Sequence, residues 1–235
     1  MLRTIPTNCG SLDEMLEGGF LLGAISLVYG EAETGKTTLA MQTAVSCARM
    51  EYKTVFIDSD DTFSLKRLAE IAQNDLDKFS PLIMLMKPKN FEEQGAAIAQ
   101  LEQLLTEKVK LVIVDTITSL YRIELGEEEH KRFRLNRELN RQIASLAQIT
   151  KTYNVATLLT SQVRSFFRET QSLTEPVATR VVKFWSDTII SLKPTEQTSV
   201  IKAILEKHSR RKHLKNCYIT IKEQGIQDYN PLSPT

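Results

Sequence analysis

The sequence predicts an α/β fold, a mostly parallel sheet flanked by helices that closes in a C-terminal antiparallel extension. Three observations carry this. Strand-like apolar runs alternate with helical periods up to about residue 160. One of those strands meets one of those helices through a glycine-rich phosphate-binding loop. Beyond residue 185 the pattern becomes strand after strand.

Taken in order, Ser11 with Glu14 three residues on reads as a capping box for a short helix that Gly18-Gly19 ends. Ala24–Tyr29 is a buried strand between Gly23 and Gly30, and Thr37–Met50 a mostly apolar helix. Thr54–Ile57 is a strand, followed by a helix through Leu65, Leu68, Ala69 and Ala72. Leu82–Met86 is a strand, Phe91–Glu107 a helix and Leu111–Val114 another strand. A long charged helix covers Glu129–Tyr153, buried through Phe133, Leu139, Ile143, Leu146 and Ala147, and leads to strand Val155–Thr160. From Val163 to Val182 the periodicity disappears. Thr188–Lys193, Ser199–Glu206 and Cys217–Lys222 then form the meander, with a hairpin turn at Pro194.

No linker, repeat or low-complexity tract divides the 235 residues, so residues 1–235 are expected to form a single domain. With 42% hydrophobic and 25% charged residues the composition is that of a globular protein with an adequate core. Cys9, Cys47 and Cys217 have no metal-ligand spacing, and no signal segment or membrane span is evident. These features predict a cytoplasmic protein without membrane partners. A net charge of +1 argues against coating nucleic acid by bulk electrostatics alone, so any DNA contact would have to be local.

Gly30-Glu31-Ala32-Glu33-Thr34-Gly35-Lys36-Thr37 matches GxxxxGK[ST] between a strand and a helix. In such a loop the backbone N–H groups and the helix N-terminus face phosphate oxygens. Lys36 would reach the β- and γ-phosphates, the Thr37 hydroxyl would ligate Mg2+, and Thr38 would add a phosphate contact. Leu111–Asp115 is a hydrophobic strand ending in a carboxylate. Strand ends of a parallel sheet face one crevice, so Asp115 is expected beside Lys36, holding the metal shell. The expected ligands are ATP and Mg2+.

On these residues the chain resembles the RecA/RadA recombinase superfamily, and most closely its short archaeal paralogues, the RadB family. The resemblance runs through nearly the whole chain. It rests on Gly10–Leu16 with Gly18-Gly19-Phe20, on Ile57-Asp-Ser-Asp60-Asp-Thr-Phe63 and on Thr160-Ser-Gln162-Val163. It continues through Phe184–Ile189, Leu205–His208 and Ile219–Asp228. The resemblance implies a RecA-like P-loop NTPase core with Asp60 where the family carries a water-activating glutamate. Asp is one methylene shorter, so at most weak Mg2+-dependent ATPase activity is expected. The alternative for Asp60 and Asp61 is a turn or helix-cap role. The resemblance also implies that Arg67 lies against the adenine ring and that Gln162 senses the γ-phosphate; a solvated helix arginine and an ordinary strand end are the plain alternatives. Ala32-Glu33 departs from the small residues and glycine usual in the loop and sets a negative charge beside the phosphates.

Arg164, Phe166, Phe167 and Arg168 fall in the segment that corresponds to the family's DNA-binding loops, and arginine with aromatics suits single-stranded DNA. Packing of the two phenylalanines and pairing of Arg168 with Glu169 are the alternatives. The basic run Lys207–Lys215 is either solvated or aimed at a nucleotide in an adjacent subunit. Trp185 reads as a core residue. The short lead-in to Lys36 is expected to lack a helix-hairpin-helix domain and a polymerisation linker. Together these imply an ATP- and DNA-binding accessory protein of homologous recombination and DNA repair, without strand exchange of its own. Its partners would be single-stranded DNA and the full-length recombinase or other repair proteins, with an oligomer possible. The rival readings are a KaiC-like regulatory ATPase acting on proteins and a non-hydrolysing, nucleotide-gated interaction module.

Overall fold

The computed structural model describes residues 2–126, 131–168, 171–176, 178–210 and 215–230, with the side chains of Asn74 and of residues 164–168 and 171–176 outside the description. At the N-terminus β1 (Thr4–Ile5) pairs antiparallel with β2 (Phe20–Leu21) around α1 (Gly10–Met15). The alternating region follows: β3 (Ile25–Gly30), α2 (Lys36–Arg49), β4 (Lys53–Asp58), α3 (Leu65–Ala72), α4 (Leu76–Phe79), β5 (Ile83–Met86), α5 (Phe91–Leu104), β6 (Val109–Asp115), α6 (Ser119–Leu125) and α7 (Arg132–Thr152). The last part holds β7 (Ala156–Arg168), β8 (Gln171–Pro176), α8 (Thr179–Trp185), β9 (Thr188–Pro194), β10 (Val200–Lys207), β11 (Asn216–Lys222) and β12 (Gly225–Asp228).

Ten strands form one sheet in the order β12-β11-β10-β9-β3-β7-β6-β4-β5, with β8 paired to the far end of β7. From β9 to β5 neighbouring strands run parallel, whereas β10, β11 and β12 are antiparallel. The parallel strands read as unbroken apolar runs because both faces are covered. One face carries α1 to α4, with Leu39, Met41, Ala44 and Val45 of α2 against Val28, Phe56 and Ile113. The other carries α5 and α7, with Ile98, Leu139, Ile143 and Leu146 against Leu27, Ile57 and Val112. All three cysteines are unpaired; burial pushes the Cys9 thiol up to about 12 and the Cys47 thiol up to about 11, so both stay protonated and inert.

The expected order of strands and helices is observed, and the differences have physical causes. Ser11 does not cap α1. The helix starts at Gly10, and the Asp13 carboxylate reaches back to accept from the Thr7 and Asn8 N–H groups, while the Ser11 N–H donates to Asp228 at 2.7 Å. Phe133 is 78% exposed and Leu135 takes the core position, because Leu135 lies one turn before Leu139 and shares its buried face, whereas Phe133, six residues before Leu139, points away from it. The segment after Val163 is not aperiodic loop: β7 continues to Arg168 and pairs with β8 from Val163↔Pro176 to Arg168↔Gln171. Trp185 is half-buried rather than central, its indole N–H donating to Asn140 at 2.9 Å.

Candidate nucleotide site

β3 is buried along all six residues and delivers Gly30 to the crevice. A Cβ at Gly30 would lie 2.5 Å from the Leu192 carbonyl oxygen and 2.7 Å from Thr34 Oγ1, so no larger residue fits. The loop folds back on itself: the Thr34 hydroxyl donates to the Glu31 carbonyl at 2.8 Å, and Lys36 Nζ donates to the same oxygen at 2.5 Å. Gly35 has φ +87°, which glycine adopts freely, and ends against Ile221 of β11. Glu31, Ala32 and Glu33 are exposed, and Glu33 holds φ +63°, a left-handed conformation where a glycine would be unstrained. Glu33, Gly35, Lys36, Thr37, Thr38 and Ile221 line a cavity of about 190 Å³ at the N-terminus of α2.

Beside this loop stands an acidic group from two neighbouring strand ends. Asp115 is the register partner of Asp58 and is fully buried. One of its oxygens accepts from the Thr160 hydroxyl, while Oδ2 has no hydrogen-bond partner. Burial pushes the Asp115 carboxyl above its ordinary range; the Thr160 and Thr37 hydroxyls pull it back, and the Asp58 and Asp60 charges push it further. Lys36 is only 8% exposed, and burial lowers its pKa against the opposing pull of Asp115, Asp60 and Glu31. The expected pairing of Lys36, Thr37 and Asp115 in one crevice is observed. A buried carboxylate with one oxygen left without a close hydrogen bond, on which the Thr37 hydroxyl of the loop helix already acts, is a strong acceptor beside the loop.

The acidic turn after β4 divides its work among three residues. Asp58, 1% exposed, accepts from the Thr62 and Phe63 N–H groups at 3.0 and 3.1 Å, so it is the one that organises the turn. Asp61 is exposed and pairs with Lys87 at 2.6 Å. Asp60 has a different partner: Gln162 Nε2 donates to its Oδ2 at 3.0 Å, and the Arg122 guanidinium donates to Gln162 Oε1. The two candidates that the sequence kept about a hundred residues apart are in contact, with Arg122 of α6 holding the amide from behind.

Arg67 sits at the first turn of α3. Its guanidinium donates to the Lys222 and Glu223 carbonyls at 2.7 Å each and to Glu70 at 2.9 Å. Those carbonyls belong to the β11–β12 turn, one residue on from the Ile221 that touches the P-loop. The backbone of Arg164, Phe166, Phe167 and Arg168 lies in the β7–β8 hairpin, directly beyond Gln162; their side chains lie outside the described residues. In the basic run, Lys207 Nζ donates to the Ser186 carbonyl at 2.6 Å and Lys215 pairs with Glu14 at 3.2 Å, while residues 211–214 lie outside the described residues. Arg122 and Ile221 bear no mark in the sequence as parts of this site, and Asp58 and Thr160 stand there only within the two segments that resemble the family. Thr160 carried a signal in its place two residues before Gln162 at a strand end; Arg122 looked like any solvated helix arginine.

A strand–loop–helix phosphate cradle beside a buried carboxylate at the carboxyl ends of a parallel sheet defines a P-loop protein of RecA-like build. The chain belongs to the Rad51 family, whose model matches residues 1–229, and that family binds nucleotide, typically ATP with Mg2+. Within it the chain resembles the DNA repair and recombination protein RadB. It is 34% identical to that of Methanococcoides burtonii over 94% of this chain and 96% of the relative, and 32% identical to that of Methanosphaera stadtmanae over 94% of each. The RadB of Archaeoglobus fulgidus is 34% identical over 95% of this chain and 97% of its own. A crystal structure of the RadB recombinase superposes with a TM-score of 0.82 at 30% identity, covering 97% of this chain and all of that one.

Proposed function

We propose that this protein binds ATP with Mg2+ at the P-loop and single-stranded DNA at the β7–β8 hairpin, as a one-domain cytoplasmic accessory factor of homologous recombination and DNA repair. The observation that carries the nucleotide reading is the unpartnered, fully buried Asp115 Oδ2 beside Lys36 and Thr37. Among the described residues no cluster of three or more His, Cys, Asp or Glu can hold a metal ion by itself. Mg2+ keeps several waters and binds through one or two protein groups together with the phosphates of its nucleotide. Thr37 and Asp115 would hold it, and it supplies positive charge against the β- and γ-phosphate oxygens.

The protein's own groups do the rest. The loop N–H groups and the Lys36 ammonium bind the phosphates in a partly buried crevice, where charge is worth more than in water. The Arg67 edge is committed to backbone carbonyls, which fixes the guanidinium plane and leaves its face for the adenine ring. Asp60 orients a water, and Gln162 links that carboxylate to the strand that becomes the DNA hairpin. Asp60 is short for this task, so turnover is weak or absent and nucleotide serves mainly as a switch. Lys207, which a trans-acting regulatory ATPase would send to a neighbour's nucleotide, is bonded to Ser186 of its own chain. Further partners are the full-length recombinase or other repair proteins, and assembly with other copies is compatible with the reading.

Two outcomes test this proposal locally. Glu33→Gly removes a negative charge from the phosphate cradle and a left-handed strain. At a separation of about 7 Å and an intermediate dielectric the charge term is about 1 kcal/mol, so ATP is expected to bind roughly fivefold tighter by calorimetric titration. Unchanged or weaker binding would mean that Glu33 faces away from the nucleotide. In the hairpin, Arg164→Ala with Arg168→Ala is expected to weaken oligonucleotide binding and to reduce the salt slope of log K by about 0.7 per lost contact. An unaltered slope would remove the hairpin from the DNA reading.

A further inference from the structure

We propose a second ligand surface, for single-stranded nucleic acid, on the β9–β10–β11 meander, beyond the end of β10 that α8 covers. It stands on observations separate from those at the P-loop. Lys193 of β9 is directly opposite Lys202 of β10, and Lys202 is directly opposite Tyr218 of β11. The Tyr229 N–H then donates to the Tyr218 carbonyl at 3.2 Å, extending the row by one residue. Two lysines facing each other across a strand pair repel, which destabilises the sheet unless an anion lies between them. Among the described residues neither lysine pairs with a carboxylate, although Glu196 lines the same groove.

The aromatic half of the row is shaped for planar partners. Tyr218 is 44% exposed, and Lys202 Nζ sits 5.8 Å from its ring centroid. The Tyr218 and Tyr229 rings lie 6.4 Å apart at 58°, and the Tyr229 hydroxyl donates to Gln197 at 2.8 Å, which fixes that ring. Together they border an open groove of about 440 Å³. Exposed rings beside cations are the combination that binds single strands: bases stack on the rings while the ammonium groups take phosphates. An acidic peptide would satisfy the lysines but leave two rings without planar partners.

The row also lies where a strand leaving the hairpin could pass. Ser191, two residues before Lys193 and hence on the same face, is the register partner of Tyr29, whose ring lies 5.2 Å from Lys183 Nζ of α8. The face that carries the row is therefore the face on which α8 sits, and α8 directly follows β8 of the hairpin.

Fluorescence anisotropy with a labelled oligodeoxythymidylate of about twenty nucleotides, long enough for one or two single-strand sites, tests the assignment on the full chain. Tyr218→Ala is expected to weaken binding about tenfold, within the range of one lost base stack, and Tyr218→Phe to leave it unchanged. Lys193→Gln with Lys202→Gln is expected to weaken binding and to lower the salt slope by about 0.7 for each lysine. ATP binding stays at the wild-type level in all of these variants. The proposal is overturned if Tyr218→Ala and the double lysine variant bind like wild type, or if the wild-type chain does not bind the oligonucleotide. It is equally overturned if poly-glutamate displaces the probe as well as unlabelled oligodeoxythymidylate does. If Tyr218→Ala fails to fold, the lysine pair alone decides. Loss through Arg164→Ala and Arg168→Ala without loss through the row variants sinks this surface and spares the hairpin.

Discussion

Replacing Lys36 by alanine is expected to weaken ATP binding by at least about a hundredfold, the equivalent of roughly 3 kcal/mol for a lost charge-assisted contact in a partly buried site. The loop backbone does not depend on the ammonium alone, because Thr34 holds the Glu31 carbonyl independently at 2.8 Å. The loss should therefore appear in affinity rather than in folding. Lys36 is buried, and burial itself depresses its pKa, so removing it takes away a desolvated charge as well as a counter-charge for Asp115. These two effects oppose each other, and the thermal midpoint should move by only a few degrees. Calorimetric titration of ATP in Mg2+ alongside thermal melting of the same variant checks both halves. Wild-type affinity in a folded Lys36→Ala variant would remove the P-loop from the account.

Asp115→Asn should move stability and function in opposite directions. Asp115 is fully buried, carries an oxygen without a donor, and has its carboxyl pushed upward, first by burial and then by Asp58 and Asp60. A carboxyl whose folded pKa exceeds its unfolded one favours folding at low pH. That contribution is lost as pH rises from the ordinary carboxylate range through the raised value. At neutral pH the ionised group is thus a liability to the nucleotide-free protein. Neutralising it is expected to stabilise that form by about 1 kcal/mol or more, or roughly 2–4 °C in the melting midpoint for a chain of this size. It should also flatten this part of the pH dependence of unfolding between mildly acidic and neutral pH. The same change should remove the dependence of ATP affinity on Mg2+. Because Lys36 and Asp115 share one electrostatic cluster, the double variant should be non-additive in stability. A destabilised Asp115→Asn variant that keeps its Mg2+ dependence would show that Asp115 is a structural acceptor for Thr160.

Much of this was legible in the sequence, for reasons that differ by residue. Gly30 to Thr38 is a local motif whose chemistry depends on neighbours in the chain, so spacing alone located it. Asp115 followed from the rule that strand ends of a parallel sheet share a crevice. The buried strands announced themselves because both faces are covered. By contrast, β7 beyond Gln162 leaves the buried sheet and pairs only with β8, so no two-residue hydrophobic alternation marks it. Helix α6 has only seven residues, too few to establish a period. Phe133 misled by its apolar bulk alone: it lies six residues before Leu139, off the buried face, which Leu135 continues one turn before Leu139. Asp58 and Arg122 were invisible for another reason. Nothing local distinguishes the turn-organising aspartate from Asp60 and Asp61, and the bond from Arg122 to Gln162 joins residues that only the tertiary fold brings together. Resemblance to relatives picked out Asp60 and Gln162; their 3.0 Å contact required the fold.

The central claim is that nucleotide is held by this crevice chiefly as a ligand, with Asp60 too short to drive hydrolysis well. The measurement that tests it most directly is steady-state ATP turnover by the purified chain in Mg2+, with and without single-stranded DNA, at ATP concentrations that saturate binding. Little or no turnover is expected in either condition, and no rise when DNA is added. Lys36-dependent turnover that increases with DNA would contradict the account and make this chain a working recombinase motor.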